Sequence, residues 1–292
     1  AELKAVNGTQ GSDQSFSAKL ESVVHESGKA TKVDLSGEAE TMEIVDDISP
    51  SAFKVQKVSK RKRTRRPAAP FITSTLQQEA WRKLRFPARK TMSVAQELYE
   101  GISIGSDGPM GLITYMRTDS TNLAAQAQGE MRQWIAQKHG EQYVPKSPRV
   151  YTRKVKGAQE AHEAIRPTSI QRDPAGIRND LSQDQARLYD LIWKRALASQ
   201  MTDAIFDATS IDIWASNASS DNTYLFKVSG QVMQFNGFLA VYEEGTDESE
   251  DETGGKLPEI SESDQLNLIE LDPKQHFTQP PPRFNDATLV KS

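Results

Sequence analysis

The hydrophobic pattern changes its period twice along the chain, and this change constrains the fold more than any other feature. Apolar residues alternate in short β-favouring stretches within residues 1–58 and again after residue 200, as they do in half-buried strands. From residue 75 they recur instead at the three- and four-residue spacing of amphipathic helices. The predicted strands cover residues 2–6, 15–20, 52–58, 209–215, 224–228 and 264–269, and a short helix is predicted at 38–45.

Capping signals mark the boundaries of the central helices. Thr75 with Gln78, and Ser182 with Gln185, each fit a capping box, in which the first side chain and the side chain three residues later satisfy free backbone N–H groups. Two further helical patterns end at glycines, one over 91–100 and one from about 120 to a stop at 140. Four tryptophans fall in periodic patterns, which predicts core burial for Trp81, Trp134, Trp193 and Trp214.

The order of these patterns predicts a compact, mainly α-helical domain inserted into a discontinuous β-rich domain. A single α+β domain would give the same order, so periodicity alone leaves it open as an alternative. Linkers are predicted near residues 66–74 and 199–206, and Pro67 and Pro70 break regular structure at the first of them.

The charge of the chain is distributed unevenly. The net charge is −4, yet Lys60-Arg-Lys-Arg-Thr-Arg-Arg66 is a dense basic run and residues 243–252 form an acidic one. A basic run can bind phosphates with release of counterions, or it can be a solvated loop or strand end, and both interpretations stay open here. The acidic run is predicted to be a surface loop.

Composition limits the remaining classes. The chain has no cysteine, which excludes disulfides and cysteine-ligated zinc within it, and no apolar run of the roughly twenty residues that a membrane helix needs. We therefore expect a cytoplasmic protein with no membrane partner. Because the chain of 292 residues starts at Ala1 rather than at a methionine, we also expect it to belong to a longer protein.

One short stretch contains the residues that attack on a phosphodiester requires. Tyr115 is followed two residues later by Arg117, and then by Thr118 and Asp119. A phenol has a pKa of about 10 and is a weak nucleophile unless a cation or base favours the phenolate. Arginine binds two phosphate oxygens with its planar fork and stays charged, which suits a developing negative charge. Ordinary strand or helix, with Arg117 paired to Asp119, is the structural alternative.

Four ordered motifs resemble those of bacterial type IA DNA topoisomerases, from about residue 54 to the end of the chain. The stretch Gly-Leu-Ile-Thr-Tyr-Met-Arg-Thr-Asp-Ser-Thr-Asn-Leu (111–123) is similar to their active-site tyrosine segment. The others are Pro-Phe-Ile-Thr-Ser-Thr-Leu-Gln-Gln-Glu-Ala (70–80) with 90–100, Ala-His-Glu-Ala-Ile-Arg-Pro-Thr (161–168), and Gln-His-Phe-Thr (275–278) with 282–291.

The resemblance implies an architecture in which a β-rich arch carries the helical tyrosine domain and lets it lift away. It places the first half of the arch at residues 1–74, the helical domain at 75–200, the second half of the arch at 201–280, and the start of a following helical domain at 281–292. The acidic domain that binds magnesium in the family would lie outside this chain.

The resemblance also implies residue roles. Tyr115 matches the nucleophile that forms a 5′-phosphotyrosyl link, and Arg117 matches the arginine that holds the scissile phosphate. His162 matches a histidine near the cleavage site that assists DNA binding and proton movement, although a lone histidine is more often structural. Supporting or DNA-binding roles are expected for four more residues, namely Thr118, Asp119, Glu163 and Arg166.

The function implied is relaxation of negatively supercoiled DNA by cleavage of one strand, strand passage and religation. Mg2+ would be the cofactor, with no ligands in this chain, and no phosphate-binding loop of the ATPase type occurs in the sequence. Single-stranded DNA at the cleavage site and the remaining domains of the polypeptide would be the partners, so the isolated chain is expected not to cleave. The alternatives are a decatenating or RNA-acting relative, or a single-strand DNA-binding module whose tyrosine is structural.

Overall fold

The structure, a computed structural model, describes residues 1–5, 15–25, 30–105, 108–151, 163–245, 257–281 and 283–292. The described strands are β1 (Glu2–Ala5), β2 (Phe16–Ser17), β3 (Lys19–Val24), β4 (Ala30–Lys32), β5 (Ala52–Arg65), β6 (Ile102–Ser103), β7 (Pro109–Met110), β8 (Ala204–Ser216), β9 (Thr223–Phe235) and β10 (Gln265–Glu270). The α-helices are α1 (Glu38–Ile48), α2 (Thr73–Leu84), α3 (Ala88–Glu100), α4 (Ala125–His139), α5 (Gln183–Ala198) and α6 (Asp286–Lys291). The predicted mixed α and β class is confirmed.

The chain divides into two compact units. The sheet unit comprises Ala1–Arg63, Phe206–Gln234 and Glu250–Pro281, and the helical unit comprises Thr64–Ile205, Phe235–Ser249 and Pro282–Ser292. Most of the helical unit therefore lies, in sequence, between parts of the sheet unit. This is the order expected of an inserted domain, and it disfavours the alternative of a single α+β domain.

The sheet unit is built on an eight-stranded sheet with the strand order β2-β1-β10-β5-β8-β9-β3-β4. The pairs β1–β10, β1–β2, β10–β5, β3–β4 and β3–β9 are antiparallel. Successive side chains of a strand point to opposite faces, so alternate residues are buried. Phe53, Val55, Ile213 and Phe226 contribute to one core that also includes Ile48 of α1.

The strands predicted at 52–58, 209–215, 224–228 and 264–269 are confirmed, and the described part of 2–6 forms β1. The single strand predicted at 15–20 is wrong, because its residues divide between β2, which pairs with β1, and β3, which pairs with β9. Strand β5 is longer than the hydrophobic pattern indicated. It continues through the basic run to Arg65, and residues 59–64 of this extension are exposed. Trp214 on β8 is 39% exposed, so its predicted burial is wrong, because the buried positions beside it in the strand are Ile213 and Ala215.

The core of the helical unit forms where α2, α3 and α5 pack against one another. Leu76, Leu98 and Ile192 are fully buried, and the buried Trp193 donates its indole N–H to the carbonyl of Ile170 at 3.1 Å. Trp134 of α4 meets the Trp193 ring edge to face at 4.9 Å between centroids. No helix in the described ranges combines the length and apolar character needed to cross a membrane.

The predicted start of α2 is wrong by two residues. The helix begins at Thr73, and Thr75 occupies its third position, where its Oγ1 accepts the backbone N–H of Ile72 at 3.0 Å. Thr75 therefore reaches back to the start of the helix instead of capping it, and the proposed pairing with Gln78 does not form the cap.

The predicted start of α4 near residue 120 is also wrong, since the helix begins at Ala125. Contacts distant in sequence hold the preceding residues in a non-helical path. The carbonyl of Asn122 accepts the N–H of Ala164 at 2.8 Å, and the N–H of Ala124 donates to Glu163 at 2.6 Å. The predicted glycine stops at Gly101 and Gly140 are confirmed. The part of the acidic run beyond Gly245 lies outside the described residues.

The capping box at the start of α5 is confirmed, and it gives a test of local stability. Ser182 Oγ accepts the N–H of Gln185 at 3.3 Å, and the Gln185 side chain accepts the N–H of Ser182 at 2.9 Å. Ser182→Ala leaves one of these N–H groups unpaired, so the free energy of unfolding should fall by about 1 kcal/mol. Urea denaturation followed by tryptophan fluorescence measures the change, since Trp193 lies in α5.

Ser182→Asp is the matched control, because aspartate is an equally good cap acceptor and should keep the stability of the parent. Equal stability of the Ala and Asp variants would show that the cap contributes nothing.

Candidate active site around Tyr115

The segment that carries Tyr115 is held on one side by backbone hydrogen bonds to residues more than fifty positions later. The N–H of Thr114 donates to the carbonyl of Arg166, and the N–H of Thr168 donates to the carbonyl of Leu112, both at 2.9 Å. Thr114 Oγ1 adds a bond to the carbonyl of Ala164 at 2.7 Å. Residues 112–114 are thus fixed before the chain reaches the tyrosine.

On its other side the segment is fixed by the first residue of α2. Thr73 Oγ1 lies 2.8 Å from the carbonyl of Met116 and 3.0 Å from that of Thr118, and it accepts the N–H of Thr118 at 2.9 Å. The N–H of Thr73 also donates to the carbonyl of Thr118 at 2.9 Å. One hydroxyl therefore satisfies the backbone on both sides of Arg117.

Burial alternates along the segment. Met116 is fully buried and Thr118 nearly so, whereas Tyr115 is 45% exposed and Arg117 and Asp119 are exposed. Within the described part of the chain, Arg117 forms no ion pair with Asp119, so the alternative interpretation of Arg117 as its surface partner is not supported. The buried residues anchor the backbone, and this anchoring leaves the phenol and the guanidinium facing solvent.

Tyr115 differs from most other tyrosines of the chain in being accessible. Burial raises the pKa of four of them, namely Tyr151 (to about 12), Tyr189, Tyr224 (to about 12) and Tyr242. A phenol whose ionised form is disfavoured by burial is a poor nucleophile. Among the described tyrosines only Tyr99 and Tyr115 are exposed, and their rings meet edge to face with centroids 5.3 Å apart.

The close approach of α3 to this segment requires a glycine. The N–H of Leu112 donates to the carbonyl of Leu98 at 2.7 Å. A Cβ on Gly111 would lie 2.6 Å from the carbonyl oxygen of Tyr99, a distance that side chains do not tolerate. Gly111 therefore allows the tyrosine segment to pack directly against the end of α3, where the Tyr99 ring contacts Tyr115.

Glu163 and Arg166 form a salt bridge with two hydrogen bonds beside the tyrosine segment. Arg166 donates from Nε to Glu163 Oε1 at 3.0 Å and from Nη2 to Oε2 at 2.8 Å, and its Nη1 donates to the carbonyl of Pro167 at 2.9 Å. With its guanidinium engaged in this way, Arg166 is suited to fixing local geometry rather than to binding phosphate. His162 lies outside the described residues.

An open hollow of about 390 Å³ lies beside Arg117, between the start of α2 and the tyrosine segment. Its lining includes Thr73, Ser74, Arg117 and Asp119. The guanidinium of Arg117 and the positive end of the α2 dipole attract anions, while Asp119 adds one negative charge to the lining, so a phosphate is best placed on the side of Arg117. In the described residues, no group of three His, Asp or Glu side chains is arranged to hold a metal ion.

Thr73, Tyr99 and Gly111 were not identified as site residues from the sequence. All three lie in or beside the motifs, at 70–80, 90–100 and 111–123, which was a usable signal. Their roles depend on contacts between those motifs, which no single motif reveals.

Comparisons with known proteins identify the family of the chain. A family model described as DNA topoisomerase matches residues 7–292. DNA topoisomerase 1 of Xylella fastidiosa (strain 9a5c) is 47% identical over 283 residues, covering 96% of this chain and 34% of that protein. DNA topoisomerase 1 of Rickettsia felis is 45% identical over 276 residues, covering 94% and 35%. The structure of full-length topoisomerase I from Thermotoga maritima is 34% identical with a TM-score of 0.65, covering 94% of this chain and 44% of that one.

The family model, both curated relatives and the solved structure are thus all topoisomerases by name. The chain belongs to the family of bacterial type IA DNA topoisomerases. It spans about a third of the length of the curated relatives it matches.

The hydroxyl of Thr73 gives a test of how the tyrosine segment is held. Thr73→Val keeps the shape of the side chain but removes the acceptor of the Thr118 N–H. Exchange of the Thr118 amide hydrogen with solvent should accelerate about tenfold or more, since a lost hydrogen bond costs about 1–3 kcal/mol. Hydrogen–deuterium exchange resolved at peptide level measures it.

Ser74→Ala is the control, because it removes a hydroxyl from the next residue of the same helix without touching Met116 or Thr118. Equal exchange in the two variants would contradict the anchoring role of Thr73.

Proposed function

We propose that this chain carries the nucleophile of a type IA DNA topoisomerase, and that the whole enzyme relaxes negatively supercoiled DNA. The observation that carries the proposal is the exposed pair of Tyr115 and Arg117 on a backbone fixed by buried neighbours. Such a site presents a nucleophile and a fixed cation to a phosphodiester without reorganisation during the reaction. The cytoplasm, where bacterial chromosomal DNA lies, is the proposed place of action.

In the proposed reaction, Tyr115 Oη attacks a phosphorus atom in one DNA strand. The bond from phosphorus to Oη forms while the bond from phosphorus to the 3′-oxygen breaks, which leaves a 5′-phosphotyrosyl link and a 3′-hydroxyl. The phenol proton passes to a base, and the departing 3′-oxygen takes up a proton. Attack by the 3′-hydroxyl reverses the step and reseals the strand. Since one phosphodiester replaces another, no ATP is consumed.

Arg117 is proposed to bind the non-bridging oxygens of the scissile phosphate. The adjoining hollow offers space for this phosphate, and the positive end of the α2 dipole adds favourable potential. Charge on those oxygens grows as the fifth bond to phosphorus forms, so a fixed guanidinium stabilises the transition state more than the ground state.

Four further residues are proposed to support the site. Thr118 and Asp119 orient the backbone around Arg117, and the pairing of Glu163 with Arg166 keeps residues 163–168 against the tyrosine segment. His162, next to Glu163 in sequence, is proposed to contact DNA or move a proton during cleavage.

The domain assignment is part of the proposal. Residues 1–74 and 201–280 are assigned to a β-rich arch, 75–200 to the tyrosine domain, and 281–292 to the start of a further helical domain. The alternation of a sheet unit and a helical unit along the chain supports the insertion of the tyrosine domain between two arch segments. The separate assignment of 281–292 rests on the resemblance alone, because α6 groups with the helical unit and packs against α2.

Mg2+ is proposed as the cofactor, bound by carboxylates that are not among the described residues, since these form no three-ligand group. When bound, the ion would help neutralise phosphate charge. The described residues do not form a complete metal site. Their proposed roles are therefore limited to nucleophilic attack, phosphate binding and positioning.

A covalent trap on the full-length enzyme tests the nucleophile. A single-stranded oligonucleotide labelled at its 3′ end is incubated with enzyme and Mg2+, quenched with detergent and run on a denaturing gel. The 3′ label is retained because a 5′-phosphotyrosyl link keeps the downstream piece. Tyr115→Phe should abolish the labelled protein band, and the isolated chain should give none.

Tyr99→Phe is the matched control, because it removes the only other exposed tyrosine hydroxyl among the described residues and keeps the ring that contacts Tyr115. Loss of the band in Tyr99→Phe with a normal band in Tyr115→Phe would reassign the nucleophile. Normal bands and full relaxation in both variants would favour a DNA-binding module with a structural tyrosine.

Arg117→Lys tests the phosphate role. Lysine keeps the charge but loses the planar fork, so the cleavage rate should fall by about a hundredfold while oligonucleotide affinity changes much less. Single-turnover cleavage and equilibrium binding of the same oligonucleotide separate the two effects. A loss of binding as large as the loss of rate would mean that Arg117 contributes general affinity and no transition-state stabilisation.

A further inference from the structure

The basic run forms the second half of strand β5 rather than a loop. Seven of the fourteen residues of β5 are Lys or Arg and none is acidic. The pairing of β5 with β10 covers Phe53 and Lys54, and residues 59–64 are exposed. We call Lys60, Arg61, Lys62 and Arg63 the basic patch. It concentrates four positive charges on a chain whose net charge is −4.

A charged strand of this kind has a simple structural explanation, since lysines on exposed strands discourage pairing with other chains. Protection against pairing would need only charged side chains on the strand. It does not explain why two of the arginines line a concave surface. Ser59, Arg61 and Arg63 line an open hollow of about 340 Å³, and strands β8 and β9 add Thr209, Ser210 and Ser229 to it. No lining residue is acidic or aromatic.

The arginines of the hollow differ from those that follow in the same run. Arg65 lies 3.5 Å from Glu243, and Arg66 lies 3.9 Å from Asp203. Arg61 and Arg63, by contrast, form no ion pair with any residue that the structure describes. Their guanidinium groups therefore keep their donors available beside four hydroxyl groups, those of Ser59, Thr209, Ser210 and Ser229, which also donate hydrogen bonds.

We propose that the basic patch and its hollow bind the phosphodiester backbone of DNA at a site separate from the cleavage chemistry. Alternate residues of a strand lie about 6.6 Å apart, so Arg61 and Arg63 can hold separate phosphates. With no aromatic side chain in the lining there is no platform for stacking bases, and binding is independent of base sequence. The arginines and hydroxyl groups of the hollow support anion binding by themselves, whereas the assignment of the anion to DNA rests on the proposed function.

Binding of fluorescently labelled oligonucleotides to the whole chain, followed by anisotropy over a range of salt concentrations, tests this site. Arg61→Gln/Arg63→Gln should weaken binding of a 30-nucleotide single strand by roughly tenfold. It should also reduce the slope of log affinity against log salt by about 1.4, or by about 1.8 if the ligand is a duplex. Oligonucleotides of different base composition should show the same loss.

Two matched variants control for charge and folding. Lys54→Gln/Lys57→Gln removes two exposed charges from the other half of the same strand and should leave affinity and slope close to the parent values. Arg61→Lys/Arg63→Lys keeps the charges and should retain most of the salt dependence. If the two Gln double variants lose equal affinity, the loss reflects only the reduced net charge of the protein, and the proposed site is refuted.

A second binding experiment tests whether the site prefers DNA to an anionic lipid surface. Vesicles of phosphatidylserine and phosphatidylcholine replace the oligonucleotide, and a loss confined to vesicle binding in Arg61→Gln/Arg63→Gln would overturn the assignment to DNA. The oligonucleotide measurement requires no cleavage, so it reports on this site even if the covalent trap finds no adduct. Failure of the trap would overturn the proposed function alone.

Discussion

The geometry of the candidate active site depends on one hydroxyl group, that of Thr73. It satisfies backbone groups of Met116 and Thr118 and so fixes the residues on either side of Arg117. An unpaired buried backbone group costs about 1–3 kcal/mol, so these bonds strongly favour one path for the segment. With the backbone held from beneath, Tyr115 and Arg117 stay accessible without losing their position. The two side chains are therefore exposed to solvent while their backbone keeps a fixed position.

A buried polar network stabilises the helices on which that anchor depends. Tyr242 Oη donates to the buried Glu79 of α2 at 2.5 Å, and Arg195 Nη1 of α5 donates to Tyr242 Oη at 3.2 Å. Arg82 and the N–H of Gly245 also bond to the Glu79 carboxylate. Burial raises the pKa of Tyr242, which keeps it a neutral donor. Removing one partner of such a network costs about 3–5 kcal/mol, because a buried charge is left uncompensated.

Arginines of this chain acquire different roles from their surroundings. The guanidinium of Arg166 is engaged by Glu163 through Nε and Nη2 and by the carbonyl of Pro167 through Nη1, whereas Arg61 and Arg63 line a hollow that contains hydroxyl groups. The sequence suggests the pairing of Arg166, because Glu163 is only three residues away, but it does not reveal the surroundings of Arg61 and Arg63, because β8 and β9 are distant from β5 in sequence. Pairing favours a positioning role, and the absence of a described ion-pair partner leaves the guanidinium available for a phosphate.

Sequence patterns were enough to predict the order of strand and helix regions and the cap at Ser182, and to propose Tyr115 and Arg117 as site residues. These features are local, because periodicity, capping and motif wording each involve residues a few positions apart. Three features became visible only in the folded chain: Thr73 anchors the tyrosine segment, α4 starts at Ala125, and β5 extends through the basic run to Arg65. Each of these depends on hydrogen bonds or sheet pairing between residues about forty or more positions apart, as between Thr73 and Thr118. The free energy of such contacts exceeds local propensity, and no local pattern records it.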